Sequence, residues 1–223
     1  MSEPALALHE ESLRLREQFA TPDQQRETAS VGMWVFLVTE IMLFGGLFTA
    51  FTVYRLSHPA AFDAGSAHME ILLGAINTAV LICSSYTMAL AVHSAETGNQ
   101  KLLILFLIIT MIIGALFLGI KFTEYYDHFR DHKVPALWFD YNGPHAPEFQ
   151  MFFVFYFIMT GLHALHMTIG IGLLSVITFR SLLGRFTADY YTPVEMSGLY
   201  WHFIDIVWVF LYAIFYIPGL HVK

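Results

Sequence analysis

Five ionisable side chains lie inside long apolar stretches of this sequence: Glu40, His163, His166, His202 and Asp205. A carboxyl group in such surroundings can carry a proton, react with a carbodiimide, or anchor a partner or lipid group. The structural alternative is a buried hydrogen bond to another helix, worth about 0.6 kcal/mol on average. From the residues alone, both interpretations stay open for Glu40.

The spacing of the histidines favours the structural interpretation. His163 and His166 are three residues apart, which puts both imidazoles on one face of a helix. Two such histidines could ligate a metal or haem, but a haem in a helical bundle usually takes its two ligands from different helices. This spacing therefore favours interhelical hydrogen bonds. His202 and Asp205 have the same spacing and can pair within one helix.

Further polar and aromatic residues accompany these five. Lys121 and Glu124 are close enough in sequence to pair on a helix, and Lys121 can also extend its amine to the membrane surface. A structural role is favoured over a catalytic role for Lys121. One helical stripe carries the side chains of Trp201, Asp205, Trp208 and Tyr212.

The composition shows what kind of protein must position these residues. Hydrophobic residues make up 57% of the 223 residues and charged residues 13%, with a mean hydropathy of +0.58. Soluble domains contain about 25% charged residues, so the composition disfavours a soluble enzyme and a disordered chain. The net charge of −7 gives no support for nucleic-acid binding. Because Cys83 is the single cysteine, an intramolecular disulfide and a multi-cysteine metal site are excluded.

Five apolar runs predict an all-α integral membrane bundle of five transmembrane helices. Each run exceeds the roughly 20 residues that a helix needs to cross a bilayer. We expect a polar cytoplasmic tail over residues 1–30, a membrane domain over 31–217 and a short C-terminal tail over 218–223. The predicted spans are 31–54, 70–93, 101–127, 149–179 and 194–217.

The five ionisable residues fall at similar depths in these spans. Glu40 lies roughly 14 Å into the first span at 1.5 Å per residue, which is close to the midplane of the membrane. His202 and Asp205 lie at a similar depth in the fifth span, and the histidines of the fourth span are also near its middle. The sequence therefore predicts a polar layer through the bundle.

The basic residues predict the orientation of the chain. The side of the N-terminus carries more Lys and Arg than the other side, so we expect the N-terminus in the cytoplasm and the C-terminus outside. On the N-terminal side these are Arg14, Arg16, Arg26, Lys101, Arg180 and Arg185, and on the other side Arg55, Arg130, Lys133 and Lys223.

The residues alone leave three functions open: a cofactor-free accessory subunit, a haem-b membrane anchor of a quinol-linked dehydrogenase, and a small proton-coupled transporter. The anchor with two haems needs a second pair of histidines at mid-membrane depth, which the sequence lacks. The transporter is the least favoured, because the sequence shows no inverted repeat.

The motifs in the spans resemble subunit III of the haem–copper terminal oxidases, the cytochrome c oxidase family. Four stretches carry the resemblance over residues 31–217, and the last is the most specific. They are Gly32-Met33-Trp34 with Thr39-Glu40, then Ile76-Asn77-Thr78 with Ser84-Ser85, then Phe122-Thr123-Glu124-Tyr125-Tyr126, and finally residues 161–166 together with 200–212.

The resemblance implies an accessory subunit of a respiratory oxidase, most simply a cytochrome c oxidase of the aa3 type. The complex is then an oxidoreductase and proton translocase, while this subunit is not itself catalytic. Haem and copper are expected in the partner subunits I and II, with no cofactor or metal in this chain. The subunit would pack on subunit I, support its proton uptake and stability during turnover, and bind phospholipid. A quinol oxidase or a nitric-oxide-reductase-associated homologue is the alternative.

The resemblance also implies roles for individual residues. Glu40 matches the family's carbodiimide-reactive intramembrane glutamate. Six further residues match motif positions with a mostly structural or lipid-facing role: His163, His166, His202, Glu124, Trp201 and Asp205. Lipid or interface contacts are expected at Trp34, Lys121, Glu124, Trp201, Trp208 and Tyr212.

The number of spans assigns the chain to the five-helix bacterial type of this family. Seven-helix members have two further N-terminal helices, which we expect to be fused to subunit I or absent here. The expected location is the bacterial inner membrane, in a complex that can belong to a larger respiratory supercomplex.

Overall fold

The computed structural model describes most of the chain, including all five predicted spans. The described residues are 18–132, 134–135, 145–188 and 190–221, with no side-chain description at 220 and 221. The first part of the predicted tail, including Arg14 and Arg16, lies outside the described residues. Lys133, Lys223 and residues 136–144 of the longest connection also lie outside them.

The described elements are helices, apart from an isolated bridge between Thr187 and Tyr190. Five of them are long and apolar enough to cross a membrane, which confirms the all-α prediction of five transmembrane helices. The helices are α1 (Pro22–Ser57), α2 (Pro59–Ala67), α3 (Ile71–Glu96), α4 (Gln100–Arg130), α5 (Ala146–Leu182), α6 (Thr192–Phe215) and a terminal 3₁₀ helix (Ile217–His221).

Two of the spanning helices begin before their apolar runs, because polar residues cap their N-terminal ends. At α1, the Thr21 side chain accepts a hydrogen bond from the Gln24 amide and Pro22 takes the first helical position. The helix therefore begins at Pro22 instead of near residue 31, and residues 22–30 form its first turns. Asn99 caps α4 in the same way by accepting from the Leu102 amide.

The short helix α2 was not predicted. It lies between two spans and packs against α5 and the 3₁₀ helix. The Ser66 hydroxyl of α2 donates to the Phe215 carbonyl oxygen at 2.7 Å, and the ring of Phe62 packs edge-on against Phe51 and Phe152. We call this end of the bundle, where α2 and the 3₁₀ helix lie, the distal end.

Helix α6 is central to the bundle and α1 is peripheral. Helix α6 packs against α1, α3 and α5, while α3 and α4 form an antiparallel pair. In α1 the buried side chains are Leu37, Phe44 and Phe51. Most of its other apolar side chains are exposed, while Met33, Leu47, Phe48 and Ala50 are half-buried. Such a helix is suited to a surrounding of lipid or a partner helix.

The indole ring of Trp201 is held by close approach of three helices. It is fully buried, and its Nε1 donates to the Ser84 hydroxyl on α3 at 3.0 Å. A Cβ atom added at Gly114 on α4 would lie 2.8 Å from the ring, and one added at Gly170 on α5 would lie 3.1 Å from it. Glycine is required at Gly114 because the ring occupies the space of a side chain.

We expect Gly114→Ala to destabilise the chain, although alanine favours helix by about 1 kcal/mol. Forcing a methyl group against a fixed ring typically costs about 1–3 kcal/mol. Gly119→Ala on the same helix is the control, because nothing lies within 4 Å of a Cβ there. Unfolding midpoints of the purified chain in detergent measure the difference, and equal midpoints for the two variants would contradict this packing.

Candidate functional site

The structure joins Glu40 of α1 to His166 of α5. Glu40 Oε2 lies 3.0 Å from His166 Nε2, while His166 Nδ1 donates to the Leu162 carbonyl oxygen at 2.7 Å. Because a carbonyl oxygen only accepts, Nδ1 carries a hydrogen. The contact at Nε2 then holds one proton, either as an imidazolium facing a carboxylate or as a neutral imidazole facing a carboxylic acid. Both forms have zero net charge.

The surroundings of this pair are aromatic. The ring of Phe44 lies 5.4 Å from the ring of His166, and Tyr200 Oη donates to the His166 carbonyl oxygen at 3.0 Å. The side chains of Glu40 and His166 keep 15% and 12% of their surface exposed. The pair is therefore mostly buried, with a small opening to the outside of the bundle.

His163 does not join this pair. It is fully buried, with its ring 5.4 Å from Phe117 and 5.1 Å from Trp208. Neither ring nitrogen of His163 has a hydrogen bond within the described residues. The two histidines of α5 thus enter different environments, because His166 is directed to α1 and His163 to α4 and α6.

His202 and Asp205 do not pair with each other as their spacing suggested. His202 Nδ1 lies 2.6 Å from the Ser85 hydroxyl of α3. The side chain of Ser85 also lies beside the Asp205 carboxyl group, whose oxygens make no hydrogen bond within the described residues. Asp205 is 5% exposed. A serine from the neighbouring helix thus takes the place of the expected intrahelical contact.

Small hydroxyl side chains of α3 form a polar seam along α6. Trp208 Nε1 donates to the Thr78 hydroxyl at 3.1 Å, and the contacts of Ser84 with Trp201 and of Ser85 with His202 continue the seam. Thr78, Ser84 and Ser85 belong to one of the motifs that carry the resemblance, but their partners could not be predicted from the sequence. Hydroxyl groups at helical spacing within an apolar run are the signal that could have indicated the seam.

A second ionic cluster is fully buried nearer the distal end. Lys121 Nζ donates to Glu124 Oε2 at 2.9 Å, to Tyr156 Oη at 2.9 Å and to Tyr216 Oη at 2.6 Å. The same two phenols donate to Glu124 Oε1, at 2.7 Å from Tyr156 and 2.5 Å from Tyr216. All three ammonium hydrogens have acceptors, which a buried ion pair requires to offset its loss of hydration.

The structure places the residues expected at lipid or interface contacts in different environments. Lys121 pairs with Glu124 as the spacing suggested, but its amine stays inside the bundle with 2% exposure. Glu124 and the rings of Tyr125, Tyr156, Trp208 and Tyr216 surround it. Four residues expected at lipid or interface contacts are buried inside the chain: Lys121, Glu124, Trp201 and Trp208. Trp34 is 56% exposed, and Tyr212 is half-buried and stacked on Tyr216.

The predicted polar layer is therefore divided into separate contacts. These are the Glu40–His166 pair, the seam that includes His202, and the aromatic site of His163. No group of three or more metal-ligating side chains occurs within the described residues. The fold and these contacts define a multi-pass helical membrane protein whose mid-membrane polar groups mostly join one helix to another.

The chain belongs to the cytochrome c oxidase subunit III family. The family model described as cytochrome c oxidase subunit III matches residues 20–131 and 140–220. This chain is therefore a subunit III of the haem–copper oxidases. The complex to which such a subunit belongs is an oxidoreductase.

Curated relatives include both kinds of oxidase. Quinol oxidase subunit 3 of Bacillus subtilis is 32% identical over 204 residues, which cover 90% of this chain and 94% of that protein. Cytochrome c oxidase subunit 3 of a Synechocystis species is 32% identical, with 83% of this chain and 74% of that protein covered. Cytochrome bo(3) ubiquinol oxidase subunit 3 of Pseudomonas aeruginosa is 30% identical, with 84% of each chain covered.

We expect Lys121→Met and Glu124→Gln each to destabilise the chain by about 3–5 kcal/mol, because each leaves a buried group without its partner. The double variant should cost less than the sum of the two, since it leaves neither charge. Lys101→Met, which removes an exposed lysine, is the control. Free energies of unfolding in mixed micelles provide the measurement, and additive losses would contradict the coupling.

Proposed function

We propose that this chain is an accessory subunit without redox centres of its own, which packs on subunit I and supports its proton uptake and stability during turnover. The observation that carries the proposal is the Glu40–His166 pair on the peripheral helix α1. It holds one proton at membrane depth, keeps zero net charge and is slightly open to the outside of the bundle. A proton held there can serve a neighbouring subunit without a cofactor in this chain.

The contacts of the other mid-membrane histidines support the absence of a redox role. His202 is engaged by Ser85, and His163 lies between two aromatic rings. These environments are those of residues that pack or join helices. The division of the polar layer into separate contacts supports the same interpretation. Haem and copper are therefore assigned to the partner subunits I and II.

For the electron donor we take cytochrome c first, in an oxidase of the aa3 type. Residues 200–212 support this choice through their resemblance to that branch. Quinol is the second candidate, and the coverage of the relatives favours it. The alignment spans 94% of the quinol oxidase subunit and 74% of the cytochrome c oxidase subunit at equal identity.

The setting of the subunit completes the proposal. The chain lies in the bacterial inner membrane with its N-terminus in the cytoplasm and its C-terminus outside. The exposed apolar surface of α1, which includes Trp34, supports contact with membrane lipids and a partner subunit. Membership of a larger respiratory supercomplex is part of the same expectation.

We expect removal of this subunit to shorten the working lifetime of the oxidase, while Glu40→Gln leaves assembly intact. The amide keeps the size of the carboxyl group and still offers His166 a hydrogen bond, but it cannot carry the shared proton. Oxygen consumption followed over many turnovers, with and without the subunit, gives the inactivation rate. Equal rates would contradict the protective role, and loss of the subunit from the Glu40→Gln complex would contradict the expected assembly.

We expect the purified complex to oxidise reduced cytochrome c faster than a reduced quinol analogue. Donor oxidation measured under the same conditions, together with the chemical type of the extracted haems, checks this choice. A complex that oxidises quinol and fails with cytochrome c would reverse the assignment of the donor and leave the family unchanged.

A further inference from the structure

The half-buried imidazole of His202 reaches the outer surface of the bundle near the middle of the membrane. Its Nδ1 lies 2.6 Å from the Ser85 hydroxyl of α3, whereas its Nε2 has no hydrogen bond with another described residue. Nε2 is not enclosed by the bundle, in contrast to both ring nitrogens of His163. Because α6 begins at Thr192, His202 lies roughly 15 Å from the start of the helix at 1.5 Å per residue.

The Ser85 hydroxyl determines that Nε2 of His202 carries a hydrogen. On the same helix, the hydroxyl groups of Thr78 and Ser94 donate to carbonyl oxygens of the preceding turn. Ser85 makes no such bond within the described residues, and the Asp205 carboxyl oxygens beside it are not hydrogen-bonded to it. The Ser85 hydroxyl therefore donates to Nδ1 of His202, and the imidazole carries its hydrogen on Nε2.

The surface around this N–H group is apolar and exposed. On α6, Ile206 and Val209 follow His202 at helical spacing, and both are exposed. The adjacent part of α3, on either side of Ser85, adds the exposed side chains of Ile82 and Tyr86. We call the surface formed by these residues the α3–α6 face: Ile82, Tyr86, His202, Ile206 and Val209.

The other helices of the chain leave this face open. Aromatic rings of α1 contact Phe203 and Phe210 on one side of α6. Helix α3 binds the indoles of Trp201 and Trp208 on another side. At 3.6 residues per turn, the three α6 residues of the face lie between these two sides. The α3–α6 face is therefore bordered by α1 and available to a helix from outside the chain.

A hydrogen-bond donor at this depth needs an acceptor that surrounding lipid does not supply. Hydrocarbon chains accept no hydrogen bond. Water and lipid headgroups lie about 15 Å away, because the hydrocarbon core is about 30 Å thick. An oxygen atom on another transmembrane helix can reach Nε2 of His202 at mid-membrane depth, and such contacts join helices within membranes.

We propose that the α3–α6 face binds a transmembrane helix of a neighbouring oxidase subunit, which accepts a hydrogen bond from His202 Nε2. The exposed apolar side chains of the face pack against that helix on both sides of the bond. This inference rests on the proposed function, in which the chain packs on subunit I. It gives that contact a surface and a polar anchor, separate from the Glu40–His166 pair of α1.

Two amide substitutions of His202 separate the outward hydrogen bond from the bond inside the chain. The shorter amide of His202→Asn can accept from Ser85 in place of Nδ1, but it does not reach the position of Nε2. The longer amide of His202→Gln reaches that position with an N–H donor. The two variants therefore differ mainly in the contact that the proposal assigns to the partner helix.

The first experiment follows dissociation of the subunit from the purified oxidase complex in detergent by native mass spectrometry. We expect His202→Asn to shorten the dissociation half-time roughly three- to tenfold, because one hydrogen bond between transmembrane helices is lost. His202→Gln should stay near the unmodified value. Ser85→Ala is the control, because it removes the bond inside the chain and leaves Nε2 to the partner. Equal half-times for the Asn and Gln variants, or equal losses for His202→Asn and Ser85→Ala, would overturn the proposal.

The second experiment identifies what lies on the face by photo-crosslinking within the complex. A benzophenone amino acid is placed at Ile206, and at Ile112 as the matched control, because Ile112 is an exposed apolar residue on α4 and lies outside the face. We expect irradiation to join position 206 to subunit I more strongly than position 112.

Three other results would overturn the proposal. They are adducts of position 206 with lipid or quinone alone, a cross-link to a second copy of this chain, and equal cross-linking to subunit I from both positions. Both experiments use the resting complex, so their failure is distinct from a failure of the proposed function, which is measured by inactivation during turnover. A subunit that protects the oxidase but contacts subunit I through another surface would refute this inference alone.

Discussion

The buried ammonium group of Lys121 imposes the strictest condition on this bundle. A membrane interior offers no water to complete an unfilled hydrogen bond, so each of its three hydrogens needs an acceptor from the protein. Glu124 of the same helix supplies one, while Tyr156 of α5 and Tyr216 after α6 supply the others. These three hydrogen bonds can form together only if α4, α5 and the end of α6 keep fixed heights in the membrane and fixed rotations about their axes. Packing of the ammonium group on Trp208, whose indole binds Thr78, extends the condition to α3.

The spans and the family could be read from the sequence, because both depend on patterns within single segments. Apolar runs long enough to cross a bilayer identified all five helices, and the i, i+3 spacing of Lys121 and Glu124 identified their contact. Helix α2 was missed because its short sequence, which begins at Pro59, has too little apolar length for a span and lies in a connection. The early start of α1 was missed because hydropathy reports the membrane and not the helix, whose first turns are polar.

Contacts between helices could not be predicted, because they depend on how each helix is rotated about its axis. His163 and His166 share a spacing that places them on one side of α5, yet their rings reach different helices. His202 and Asp205 had a plausible contact within α6, but Ser85 of α3 lies beside both. Spacing along one helix thus shows which contacts a residue could make. The rotation and the side chains of the neighbouring helix determine which of these contacts form.

The attachment of α1 shows how one polar contact can set orientation. Phe44, Phe48 and Phe51 pack edge-on or tilted against rings of α5 and α6, and lipid could replace part of that contact. Lipid could not replace the contact between Glu40 and His166, because hydrocarbon offers no hydrogen bond. Turning α1 about its axis would carry the carboxyl group into lipid, so the pair fixes the rotation of the helix. The same contact that orients α1 therefore places the shared proton at the edge of the bundle, with a small opening to its outside.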